Sequence, residues 1–108
     1  MTIREVVKLL DAEILCGEDR LDTEIHTACG SDMMSDVLAY VKDQSVLLTG
    51  LLNPQVVRTA EMMDMLCIVF VRGKRPEQSV IDLAREKGIV LLSTEMRLFV
   101  ACGILYTH

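Results

Sequence analysis

Tryptophan is absent from this 108-residue chain, which also holds only two phenylalanines and two tyrosines. Aromatic rings carry the largest apolar area per residue. The core must therefore come from aliphatic side chains, and the apolar fraction of 51% supplies them. Positive charge is also short: 11 Lys and Arg face 16 Asp and Glu, for a net charge of −5. Nucleic acids and anionic membranes both demand a basic surface, so neither is an expected partner. No apolar run approaches the roughly 20 residues that span a bilayer. The opening Met-Thr-Ile-Arg-Glu sets a base and an acid where a secretory signal has neither acid nor interruption. These features place the chain in the cytoplasm as a single domain over 1–108.

Also missing are short cysteine spacings and a phosphate-binding glycine loop. Cys16, Cys29, Cys67 and Cys102 stand far apart among apolar neighbours. In a reducing compartment they read as small buried hydrophobes rather than metal or redox ligands. The glycines match neither common nucleotide fingerprint. His26 and His108 have no sequence neighbour that completes a catalytic set. No metal and no cofactor are expected.

What is present is a clear alternation of elements. Thr2 and Glu5 form a capping box ahead of the stripe Ile3, Val6, Val7 and Leu10. "AEILC", the polar turn "GEDRLD" and "EIHTACG" then read as a β-hairpin. "SVLLTG" is a short apolar strand. Asn53-Pro54 opens a helix with Val56, Val57, Ala60 and Met63 on one stripe. "CIVFV" and "IVLLS" are apolar without alternation, as strands covered on both faces are. Between them Pro76 opens a helix lined by Val80, Ile81 and Ala84 and ended by Gly88. Ser93 or Thr94 is placed to cap the last helix. The predicted fold class is α/β: a three-stranded parallel sheet with helical crossovers, extended by an N-terminal helix and the β-hairpin.

Two regions carry candidate chemistry. "SDMMSD" sets Ser31 as N-cap, with Asp32 in the first turn of a helix bearing Met33, Met34, Val37, Leu38 and Val41. Ser35 and Asp36 follow one turn later, on the same side. The plain reading is a capped helix with an acidic edge; the sharper one has the two Ser-Asp pairs ligating Mg²⁺ or a substrate hydroxyl. The second region is the carboxyl ends of the three strands, where open α/β sheets bind ligands. Their loops bring Thr49 and Asn53, then Arg72, Lys74 and Arg75, then Ser93 and Thr94. Three cations at a helix start in an acidic chain form a candidate anion site.

The last helix is apolar on every side. Met96, Phe99, Val100, Gly103 and Ile104 make its expected core face. Leu98, Ala101, Cys102 and Leu105 are left for a second copy, so a homodimer interface is expected there. The alternative cover is the N-terminal helix or the hairpin of the same chain.

The order of these elements and the words in the loops resemble the DRTGG domain along nearly the whole chain. "TIREVVKLLDAEILCGEDRLDTEI" is similar to the family's opening. "SDMMSDVLA", "VRGKRPE" and "AREKGIVLLST" are similar to its later segments. The eponymous motif departs: Asp22 is kept, Thr23 stands at the arginine position, and "HTACG" replaces the Thr-Gly pair. The resemblance implies a regulatory or dimer-forming module. Relatives occur in phosphotransacetylases and between CBS domains of pyrophosphatases, and HPr kinase and muramyl ligases have similar N-terminal domains. Stand-alone members occur in anaerobes, some beside iron-only hydrogenase genes, which implies a partner protein in such a system. The expected function is thus a non-catalytic regulatory or assembly module with an anion or nucleotide site. The rivals are a small-ligand sensor for a nucleotide or acyl phosphate, and a Mg-dependent enzyme.

Overall fold

The computed structural model describes residues 1–40 and 45–108. Five helices and five strands alternate along it: α1 (Ile3–Leu10), β1 (Glu13–Cys16), β2 (Thr27–Gly30), α2 (Met34–Tyr40), β3 (Ser45–Thr49), α3 (Pro54–Met62), β4 (Cys67–Phe70), α4 (Gln78–Lys87), β5 (Val90–Ser93) and α5 (Leu98–Tyr106), with a 3₁₀ turn at Glu18–Arg20. The strands form one sheet in the order β1-β5-β4-β3-β2. β2 to β5 are parallel, and β1 runs antiparallel to β5.

Successive strand residues point to opposite faces, and both faces are apolar here. Leu47, Ile68, Phe70 and Leu91 meet Val37, Val56, Val57, Ala60, Val80, Ile81 and Ala84 from α2, α3 and α4. Val46, Leu48, Cys67, Val69, Val90 and Leu92 meet Ile3, Val6, Leu10, Ala101 and Leu105 from α1 and α5. The result is a three-layer α/β/α sandwich. Each crossover from β2 to β5 steps the same way across the sheet, and right-handed connections then put α2, α3 and α4 on one side.

The first helix matches its sequence signals. The Glu5 N–H donates to Thr2 Oγ1 at 3.3 Å and the Thr2 N–H to Glu5 Oε1 at 3.1 Å. Gly88, at φ 73°, closes α4 in the left-handed conformation. Asn53 holds the N-cap position of α3, with Pro54 behind it, but its side chain makes no capping bond. Cys16 and Cys67 are buried, Cys29 and Cys102 are half-buried, and all four are free thiols. Burial pushes all four thiol pKa values up.

Three expectations are corrected. The parallel part of the sheet has four strands, not three, because β2 joins β3. β1 and β2 form no hairpin: they occupy opposite edges. The residues between them reverse the chain without pairing the two strands, and run past the start of α1 on the way to the far edge. There the carbonyls of Thr23 and Leu21 accept from the N–H groups of Ile3 and Arg4, at 3.1 and 2.7 Å. Those are helix-start donors with no partner inside their own helix, so the segment is drawn there instead.

The third correction concerns α5. Ala101 and Leu105 are buried against the chain's own sheet, with Leu98 and Cys102 half-buried beside them. Ala101 and Leu105 are thus spent mainly on the chain's own sheet, and of the four residues expected at an interface Leu98 and Cys102 alone stay partly open. Phe99, Val100 and Gly103, expected in the core, lie exposed. A helix apolar all round gives its periodicity no direction, so the pattern could not say which half the sheet would take. α5 also starts at Leu98, after Arg97, so neither Ser93 nor Thr94 caps it. No helix among the described residues is long and apolar enough to cross a membrane.

Candidate functional site at the strand ends

The carboxyl ends of β2, β3 and β4 bring one acid and two bases together. α2 begins at Met34, so Ser31 and Asp32 precede it rather than opening its first turn. The Ser31 hydroxyl instead makes a short turn, accepting from the Met33 N–H at 3.0 Å. This frees Asp32 to reach across to β3. Its Oδ1 accepts from the Gly50 N–H at 2.7 Å and from Thr49 Oγ1 at 2.9 Å. The Gly50 N–H holds the Asp32 carboxyl below the usual range against the opposing pull of desolvation. The Thr49 hydroxyl and the nearby charges of Arg72 and Lys74 act with Gly50. Lys74 Nζ donates to the Gly50 carbonyl at 3.4 Å. The Arg72 guanidinium covers Gly50 so closely that a methyl group there would collide with it.

The other predicted residues are engaged elsewhere. Arg75 pairs with Glu13 on β1. Ser93 Oγ donates to the Lys74 carbonyl at 2.8 Å, and buried Thr94 Oγ1 donates to the Leu10 carbonyl at 2.7 Å. Asn53 is exposed at the start of α3. Ser35 and Asp36 are exposed in the first turn of α2. Of that helix's expected stripe, Val37 is buried, while Val41 lies outside the described residues. The basic loop spends its backbone donors internally. The N–H groups of Arg72, Gly73 and Lys74 go to the carbonyls of Met96, Thr94 and Val71, at 2.8, 2.8 and 3.2 Å. Arg72 and Gly73 both take positive φ to achieve this, 60° and 68°. Any anion here is met by side chains, not by a backbone cradle. Asp22, the retained residue of the eponymous motif, accepts from Arg4 Nε at 3.0 Å, and this bond holds its carboxyl below the usual range.

Gly50 is the member of the cluster that sequence patterns did not mark. Its signal was its place, the first glycine after an apolar run at a strand's carboxyl end. Among the described residues no group of three His, Cys, Asp or Glu side chains could hold a metal ion.

The cluster makes a pH prediction. Asp32 carries a depressed pKa, so its contribution to stability is complete above the ordinary aspartate value of about 3.9 and is lost as pH falls through its own lower one. Asp32→Ala should cost about 1–2 kcal/mol at neutral pH, discounted for its exposure. Urea titrations of the two proteins should converge in acid. A gap that stays constant would assign the loss to something other than the carboxylate.

A singly wound α/β/α sandwich with an extra antiparallel edge is the class these features define. The sequence matches the DRTGG domain over residues 5–105. The chain belongs to the DRTGG domain family. Among curated proteins none matches it significantly. Among solved structures it is similar to the CBS and DRTGG domains of the regulatory region of Clostridium perfringens pyrophosphatase, crystallised with the activator diadenosine tetraphosphate. The TM-score is 0.79 at 15% identity, over 96% of this chain. The chain spans 45% of the length of that structure.

Proposed function

We propose that this chain is a non-catalytic regulatory and assembly module, a single cytoplasmic DRTGG domain that acts as a homodimer and senses a small anion at its strand ends. The observation that carries the reading is how the polar groups there are used. Asp32, Thr49, Ser93 and Thr94 bind one another or the backbone. They do not converge on a point where a substrate atom would react. Asp32 in particular is committed to Gly50 and Thr49, which favours the module over an enzyme that holds Mg²⁺ through the Ser-Asp pairs. What stays exposed is Arg72 and Lys74, two cations that both reach Gly50. The pyrophosphatase regulatory region supports the same reading, because part of it shares this fold and an activator nucleotide was bound to that protein.

Thermal unfolding with phosphate, acyl phosphates, nucleotides and diadenosine tetraphosphate tests this. A ligand at a hundredfold excess over its Kd adds about 2.7 kcal/mol of stability. Lys74→Glu should abolish that gain; it also lowers the stability of the unliganded protein somewhat, by losing the bond to the Gly50 carbonyl and the attraction to Asp32, so the ligand-induced shift is read against the variant's own unliganded transition. If no anion shifts the transition, sensing fails. If a shift survives in the variant, the site lies elsewhere.

A further inference from the structure

We infer that two copies of this chain join through the outer face of α5 and the β2 edge, each setting its α5 aromatic rings into the other's trough. The inference rests on the homodimer reading and assigns its face.

The inner half of α5 is taken by the sheet, yet the outer half is no less apolar. Phe99 is 89% exposed, Val100 47% and Tyr106 92%. In a chain with four aromatic residues, two stand in solvent on one helix. Only Met33 and Met62 are comparably exposed large apolar side chains among the described residues.

A trough of about 720 Å³ lies between α5 and β2. Its depth comes from residues that have little or no side chain. Ala28 and Gly30 line it from β2 and Gly103 from α5, above Ile25, Leu48 and Leu105. A Cβ on Gly30 would lie 2.6 Å from Cys102 Sγ, so the glycine sets how near the helix comes. A Cβ on Gly103 would meet nothing within 4 Å, so that wall is open.

Knobs and trough thus occupy the same face. A two-fold axis pairs a surface with itself, so one face carrying both features is complementary to its own copy. Charge points the same way. The chain carries −5, and two copies repel wherever acids meet. Among the described residues no Asp, Glu, Lys or Arg side chain lines the trough; its polar groups are those of His26, Thr27, Cys102, Tyr106 and His108, with Met1, whose N-terminal ammonium is paired with Glu24 at 3.2 Å. The strand beside it lacks the usual guards of an exposed edge. Thr27–Gly30 contains no proline and no charge. A small apolar ligand would fit the volume, but it would leave two rings in water at the rim. A second α5 covers both.

Sedimentation of the whole chain tests the face. The expected result is a dimer that Phe99→Glu and Tyr106→Glu each weaken by at least about thirtyfold. Their circular dichroism and melting temperature should stay unchanged, because the replaced side chains are exposed. Met62→Glu, on the exposed side of α3, should leave the dimer intact. A wild-type dimer that both α5 variants preserve overturns this face while the homodimer reading stands. A wild-type chain that stays monomeric at high concentration overturns both. A monomer that binds an apolar dye in the trough, with binding lost in Phe99→Glu, replaces the second copy with a small ligand.

Discussion

Phe70→Ala is expected to lower the unfolding free energy by about 3–5 kcal/mol, the usual loss for a large aromatic removed from a packed core. Phe70 is fully buried on β4, the middle strand of the sheet. It points into the layer built by α3 and α4. Among the described residues of that layer the other large side chains are aliphatic or methionine, so the gap is left to residues of another shape. Domains of this kind hold about 5–15 kcal/mol in all, so the variant loses a large share of its stability. Urea unfolding should show a lower midpoint with an unchanged slope. A loss under about 1 kcal/mol would mean that the aliphatic neighbours collapse onto the vacancy.

Gly30→Val is the second large effect, and it acts by overfilling rather than by emptying. The backbone at Gly30 is in ordinary territory, so the penalty is steric. The new Cβ would press on Cys102 Sγ at 2.6 Å and on Leu98 Cδ1 at 3.3 Å. Contacts that tight force α5 outward, at about 1–3 kcal/mol. Gly30→Ala should show a smaller loss of the same kind. Cys102→Gly in the same molecule should recover part of it, because the sulfur is the first atom struck. Measured as a double-mutant cycle by thermal unfolding, the pair should show a coupling well above the few tenths of a kcal/mol seen for distant sites. Strict additivity would mean that the helix is held at its distance by something other than this contact.

Much of the fold was legible because its signals are local. The capping box at Thr2 and Glu5, Pro54 at the start of α3 and Gly88 at the end of α4 each act within one turn. The buried character of "CIVF" and "VLLS" shows in composition alone. The hairpin expectation fails because two short strands separated by a polar segment look the same whether they pair with each other or with distant strands. What decided the matter was the start of α1, whose free N–H groups attract residues 21–23, a contact that no short-range rule describes. The strand-end site was half legible. Arg72 and Lys74 were marked by charge in an acidic chain. The role of Asp32 was not, since its partners Thr49 and Gly50 lie on another strand and helix-start rules account for an aspartate after a serine equally well. α5 was legible as a helix and illegible in orientation, because every face of it is apolar.

The antiparallel edge has a consequence for the order in which the molecule assembles. β1 precedes every other strand of the domain in the chain, yet it pairs with β5, matching Glu13 to Ser93. α1 shares its layer with α5, at the other end of the domain's sequence. The strands β2 to β4 add neighbour to neighbour through short crossovers as they are made, each closing a modest loop. The opening segment has no docking surface until nearly the whole chain exists, and it closes the longest loop in the fold at the greatest entropic cost. Within the domain it is thus a latch, made before its partners and last to find its place, and the interval between the two is when a protease or a chaperone has its best access to α1.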